Sequence, residues 1–289
     1  MTSRHAAAAP SALPIPRFTL PIPFAVLILT LSLALALAAA APAGAAEMGT
    51  ADERAAAVAA RAMEALGGEE AWASTRYLSF GFAGRRWHWW DRETGQHRVE
   101  GTDQEGNPWV VIHDLDTRAG EAWSGGAKAT GEQAGEMLEN AHGAWVNDTY
   151  WLLVPYKLRD PGVTLAYDRE ESLDGKTYDV LALSFDGVGL TPGDRYWVWI
   201  DRDSGLMDRW AYVLESQPPD SEPTAWKWEG WQRYGGVMLA PRRVQVGADR
   251  VLDLSPIAVP DSLPEAAFNS PEPMAPAPED EPAAGGSGR

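Results

Sequence analysis

The sequence contains no cysteine. Disulfides, a thiolate zinc site, an iron–sulfur cluster, a cysteine nucleophile and an acylated lipoprotein cysteine are all excluded by that one absence. Positive charge is scarce too: 24 Lys and Arg stand against 41 Asp and Glu in 289 residues, a net charge of -17. Affinity for a phosphate backbone rests on clustered cations that release counterions, so no nucleic acid is expected as a partner. A polybasic grip on anionic membrane is not expected on the same ground. The usual catalytic signatures are missing: there is no Gly-x-Ser-x-Gly elbow, no Gly-Lys-Ser/Thr phosphate loop and no His-Glu-x-x-His. Carboxylates abound, but their separation in space, which decides glycoside hydrolysis, is not written in a sequence. The expectation is a protein that is not an enzyme, with no cofactor and no metal.

What is present begins with an export signal. Arg4 and Arg17 precede an uncharged apolar run from Phe24 to Leu37, and Ala43-Gly44-Ala45 fits an Ala-x-Ala cleavage site. Residues 1–45 are therefore expected to be a cleaved signal peptide, residues 46–270 the folded domain, and the Pro- and Glu-rich residues 271–289 a disordered tail. Export implies a periplasmic protein.

The folded region opens on a helix. Ala55, Val58, Ala59, Ala62, Met63 and Leu66 recur at helical spacing, Thr50 with Glu53 forms a capping box, and Gly67-Gly68 supplies the stop. Beyond it the period becomes two, as in Leu78, Phe80 and Phe82 or Leu181, Leu183 and Phe185, with Asp- and Gly-rich turns at short intervals. A second helix interrupts the strands, with a capping box at Thr130 and Gln133 and apolar residues from Ala134 to Trp145, broken near Gly143. Trp87 to Gly95 and Trp197 to Gly205 share the pattern Trp-x-Trp-x-Asp-Arg-acid-hydroxyl-Gly. Convergent turn chemistry, with Asp binding turn amides and Gly in the left-handed position, is preferred there over a duplicated half.

Two groups of residues could carry function. His88 and His97 face each other across a hairpin and, with His113, could hold a metal, although strand histidines are more often surface residues. The fuller signal is tryptophan, of which there are 14. Trp87 and Trp89, Trp197 and Trp199, and Trp226 and Trp228 each stand two apart on a predicted strand and so project from one face. They could be core, the wall of an apolar pocket, or an open platform for sugars, since indole suits all three.

The helix with its Gly-Gly stop, the meandering strands, the inserted helix and the leader resemble the LolA/LolB-like periplasmic lipoprotein-carrier superfamily. The stretch from Trp145 to Gly162 with Tyr196 to Trp210 is similar to an uncharacterised exported LolA-like family. The resemblance implies a mainly β, α+β fold, in which a curved antiparallel sheet forms an unclosed half-barrel around an apolar cavity under a helical lid. It implies a carrier or sensor of acyl chains, lipid or lipoprotein. Trp87, Trp89, Trp197, Trp199, Trp226 and Trp228 are the expected walls, and Trp145, Tyr150, Trp151 and Leu152 the lid contacts. Lys157 or Arg159 is expected to meet a head group. A monomer with a transient envelope partner is expected, and a glycan-binding envelope module is the alternative.

Overall fold

The computed structural model describes residues 50–186 and 191–274, all of them within the compact unit Ala45–Arg289. The expected leader, its cleavage site and most of the Pro-rich tail lie outside the described residues. In chain order come β1 (Thr50–Ala51), α1 (Glu53–Ala65), α2 (Gly68–Ser74), β2 (Tyr77–Phe82), β3 (Arg86–Asp91) and β4 (Gln96–Thr102). They are followed by β5 (Pro108–Asp114), β6 (Gly120–Ser124), β7 (Ala127–Lys128) and the long helix α3 (Gly131–Leu153). Next are β8 (Val163–Leu173), β9 (Lys176–Phe185), β10 (Arg195–Asp201), β11 (Met207–Val213) and β12 (Thr224–Glu229). The chain finishes with β13 (Gln232–Tyr234), β14 (Val237–Leu239), β15 (Arg242–Gln245), β16 (Val251–Asp253) and β17 (Ile257–Ala258).

One sheet runs β1-β8-β9-β10-β11-β12-β15-β16 and the other β17-β2-β3-β4-β5-β6-β7, with β13 and β14 as a separate hairpin. All pairings are antiparallel except β1 with β8. The sheets meet where the Gly81 amide donates to Leu254 O at 3.0 Å and the Ala83 amide to Asp253 O at 2.7 Å. A Cβ on Gly81 would stand 2.2 Å from Ser255 O, so glycine is required for that approach. The architecture is an unclosed curved sheet with helices against it, as the resemblance implies.

The first helix forms on the expected face: Ala55, Val58, Ala59 and Ala62 are buried and enter the main core with Leu165, Leu181, Leu183, Val198 and Ile200. Its start is different. Thr50 lies in β1, and Asp52 caps the helix by accepting the Ala55 amide at 2.7 Å. Gly67, at φ 118°, ends this helix as expected. α3 is continuous through Gly143, and Thr130 makes no side-chain capping bond, so the expected break and the second capping box are both absent. The repeated turns are built alike: Asp91 Oδ1 accepts from the Glu93 and Thr94 amides, Asp201 Oδ1 from the Asp203 and Ser204 amides. Gly95 and Gly205 take φ values of 73° and 74°.

The N-terminal part of α3 packs on the second sheet through Ala134, Met137, Leu138 and Ala141 against Val99, Val111 and Ala122. A polar ladder fixes it further along. Asp148, fully buried, accepts two bonds of 2.8 Å from Arg86 and one of 2.9 Å from His88 Nε2. His88 Nδ1 lies 3.0 Å from His97 Nε2, and His97 Nδ1 lies 2.7 Å from His113 Nε2. An ionised Asp148 only accepts, so His88 donates from Nε2, and each following ring must donate from Nε2 in turn. The three rings are at most 1% exposed, contrary to the surface position expected for strand histidines. They make a hydrogen-bonded chain rather than a metal cluster: among the described residues no group of three or more His, Cys, Asp or Glu could hold a metal ion.

Burial pushes the His88 and His97 imidazoles down, the second strongly, and takes His113 to about 4. The ladder is therefore neutral at ordinary pH. Burial pushes the Asp148 carboxyl up, but His88 and Arg86 outweigh it and hold it below the usual range.

Candidate functional site

A cleft of about 380 Å³ lies between the C-terminal half of α3 and the inner face of β9 to β11. Helical spacing brings Val146, Asn147, Tyr150 and Trp151 to one side. The strands supply the other. Tyr196 pairs with Tyr212, and Val198 with Trp210, so Tyr196, Trp210 and Tyr212 share a face. Leu183 and Leu181 pair with Tyr196 and Val198 and lie on that same face, which puts Phe185 at its end. Thr191, Asp194 and Leu214 complete the lining.

The wall is aromatic and interlocked. Tyr196 stacks on Trp210 with ring centroids 5.3 Å apart, Tyr150 meets Tyr196 at 5.6 Å, and Trp151 meets Trp210 edge-on at 4.8 Å. Trp210 is 2% exposed, and its indole N–H is buried without a partner. Burial, with the neighbouring Tyr196, Asp160 and Asp194, holds the Tyr150 phenol well above its ordinary value. The Tyr196 phenol is raised by burial and by Asp194. Both are neutral across the physiological range.

Trp151 is placed by a buried cation. Arg243, 0% exposed, donates from Nε and Nη2 to the Trp151 carbonyl at 3.1 and 2.7 Å, and from Nη1 to Ala240 O at 2.7 Å. Its guanidinium lies 3.3 Å from the Trp228 ring centroid. No carboxylate is among these partners, and burial drives its pKa well down. A cation on the last carbonyls of a helix complements the negative end of the helix dipole.

The structure distributes the expected site residues widely. Tyr150 and Trp151 line the cleft. Trp197 and Trp199 point to the opposite face of β10, with Tyr178, Val180 and Ala211. There Trp199 donates to Glu171 at 3.2 Å and lies beneath Arg169 and Arg209. Trp226 and Trp228 are on the inner face but sunk in the main core at 2% exposure. Trp87 and Trp89 belong to the second sheet; Trp89 packs beneath Arg98, which donates to the carbonyls of Ser270 and Glu272. That contact ties down the start of the expected tail. Trp145 meets Trp90 at 5.4 Å and His142 at 5.7 Å, away from the cleft. Leu152 is buried in the core. Lys157 and Arg159 pair with Asp160 and Glu69 and are not among the residues that line the cleft.

The residues that line the cleft and were not among the expected contacts are mainly Phe185, Tyr196, Trp210, Tyr212 and Asp194. One sequence signal could have found them. Arg195 shares its parity with Trp197 and Trp199, which marks that face of β10 as the solvent side and Tyr196 and Val198 as the inner one.

No family model matches the chain, and no curated protein matches it. Among solved structures it is similar to a LolA superfamily protein from Nitrosomonas europaea, at 15% identity and a TM-score of 0.36 over 74% of this chain and 96% of the other. A candidate outer membrane lipoprotein-sorting protein domain from Vibrio parahaemolyticus is 10% identical, with a TM-score of 0.40 over 75% and 97% of the two chains. A DUF1329 family protein from Desulfovibrio piger is 11% identical, with a TM-score of 0.41 over 75% and 97%. What the cleft can hold follows from its own geometry.

Proposed function

We propose that the protein is a non-catalytic periplasmic carrier or sensor that holds the acyl chain of a lipid or lipoprotein in the cleft between α3 and β9 to β11. The observation that carries this reading is an aromatic-walled cleft of about 380 Å³, inside the size range of small-molecule sites and with few polar groups. Moving a chain from water into such a cleft stabilises the complex by about 0.8 kcal/mol per buried methylene, so binding needs no reaction. The glycan-platform alternative is less well supported. Among the described residues no tryptophan is exposed, and the outward pair Trp197 and Trp199 is overlaid by Arg195, Arg169 and Arg209.

The test is a titration of intrinsic fluorescence with dodecyl maltoside below its micelle concentration, on the wild type and on Val146→Trp. Val146 is half-buried at the cleft, so an indole there fills the space. Saturable binding by the wild type, lost in a folded V146W, is expected. No binding, or equal binding by both, would overturn the reading.

A further inference from the structure

Asp194 is the one charged side chain among the described residues that line the cleft, and it is 2% exposed. Its carboxylate accepts from the Thr191 hydroxyl at 2.7 Å, the Tyr196 hydroxyl at 3.0 Å and the Glu215 amide at 2.8 Å. All three donors are neutral. They satisfy the oxygens and leave the negative charge uncompensated. Buried carboxylates are ordinarily paired with a cation, yet no cationic side chain among the described residues pairs with this one. The adjacent Arg195 is turned away: it donates to Pro219 O at 2.5 Å, with its guanidinium 5.7 Å from the Trp197 ring centroid on the other face of β10.

Around Asp194 stand Tyr196, Tyr150, Trp210, Tyr212 and Phe185, whose rings carry negative charge on their faces. A buried uncompensated carboxylate within an aromatic wall is a site for an organic cation without N–H groups. A quaternary ammonium is weakly hydrated, needs no hydrogen-bond acceptors and is attracted by both the rings and the carboxylate. A primary ammonium would need acceptors that Asp194, already holding three donors, does not offer freely. An anionic head would meet repulsion from the same group.

We propose that the cleft selects amphiphiles whose head is a quaternary ammonium, seated against Asp194 in the aromatic wall with the chain along the rest of the cleft. This rests on the cleft being a ligand site at all. The test compares dodecyltrimethylammonium with dodecyldimethylamine oxide, which has the same chain and a head of nearly the same size but no net charge at pH 8. Both are titrated below their micelle concentrations at physiological ionic strength, where the Debye length of about 8 Å screens the acidic surface.

The wild type should bind the ammonium about tenfold or more tightly than the amine oxide. Asp194→Asn, which keeps the size and one acceptor oxygen, should bind the two equally. Equal affinities in the wild type, or a preference that survives in D194N, would overturn the proposal while leaving the carrier reading intact. Should D194N fail to fold, Val146→Trp decides: loss of both probes there supports the cleft as the source of the preference, and a preference for the ammonium that persists overturns it. Binding of neither probe by the wild type would overturn the carrier reading itself.

Discussion

Acid should unfold this protein at a pH where its surface carboxylates are still ionised, because the histidine ladder is buried neutral. His113 sits at about 4 in the folded chain against an ordinary 6.5. A folded-state value below the unfolded one means that the unfolded chain takes up the proton first. The stability owed to the neutral ring is complete above about 6.5 and is lost as pH falls toward about 4. At about 1.36 kcal/mol per unit, His113 alone should remove about 2 kcal/mol between neutrality and pH 5. His88 and His97, also pushed down by burial, add to the loss. Asp148 is held low by His88 and Arg86 against burial, so its contribution fails only at still lower pH. Urea unfolding followed by tryptophan fluorescence at pH 8, 7, 6 and 5 measures the slope. In His113→Gln the amide can still donate to His97 but does not titrate, so the slope should flatten. Stability constant to within about 0.5 kcal/mol from pH 8 to 5, or the same slope in H113Q, would refute the reasoning.

Other consequences follow from the same contacts. Asp148→Asn removes the charge that holds Arg86 and His88 and sets the direction of the ladder; because Arg86 is partly exposed and can be rehydrated, the loss of these charge-assisted bonds should cost about 2–3 kcal/mol in urea unfolding at pH 8. Arg243→Met leaves the Trp151 and Ala240 carbonyls without their donors. A cost of about 2 kcal/mol is expected, together with weaker dodecyl maltoside uptake, because Trp151 lines the cleft. Trp197→Ala with Trp199→Ala strips the outward face of β10. Thermal melting should fall while amphiphile affinity stays within about twofold, and a parallel loss of affinity would place the ligand on the wrong face of the sheet.

The parts of this molecule legible in the sequence are those governed by local rules. The buried face of α1 follows from the spacing of Ala55, Val58, Ala59 and Ala62, and the paired turns at Asp91 and Asp201 follow from side-chain bonds to amides two and three residues on. The N-cap was less legible, because Asp52 beside Thr50 is an equally good cap and the pairing of β1 with β8 decides between them. The site was hardest to read for a related reason. In Tyr196-Trp197-Val198-Trp199 both faces of the strand carry large apolar residues, so alternation alone does not say which is inward. Trp197 and Trp199 are covered from outside by arginines that stack on them, while the less conspicuous Tyr196 faces the cleft. The histidine ladder was legible in part: the hairpin turn brings His88 to His97 and the next strand adds His113, as the sequence implies, but their burial and the approach of Asp148 from a helix distant in sequence had no local signal.

That the cleft holds a hydrophobic ligand is put to the test by native mass spectrometry of the protein purified from its own host without detergent. One lipid-sized mass per chain is expected on the wild type and none on Val146→Trp. A wild-type protein that carries no such mass, and takes up no dodecyl amphiphile when offered one, would contradict it.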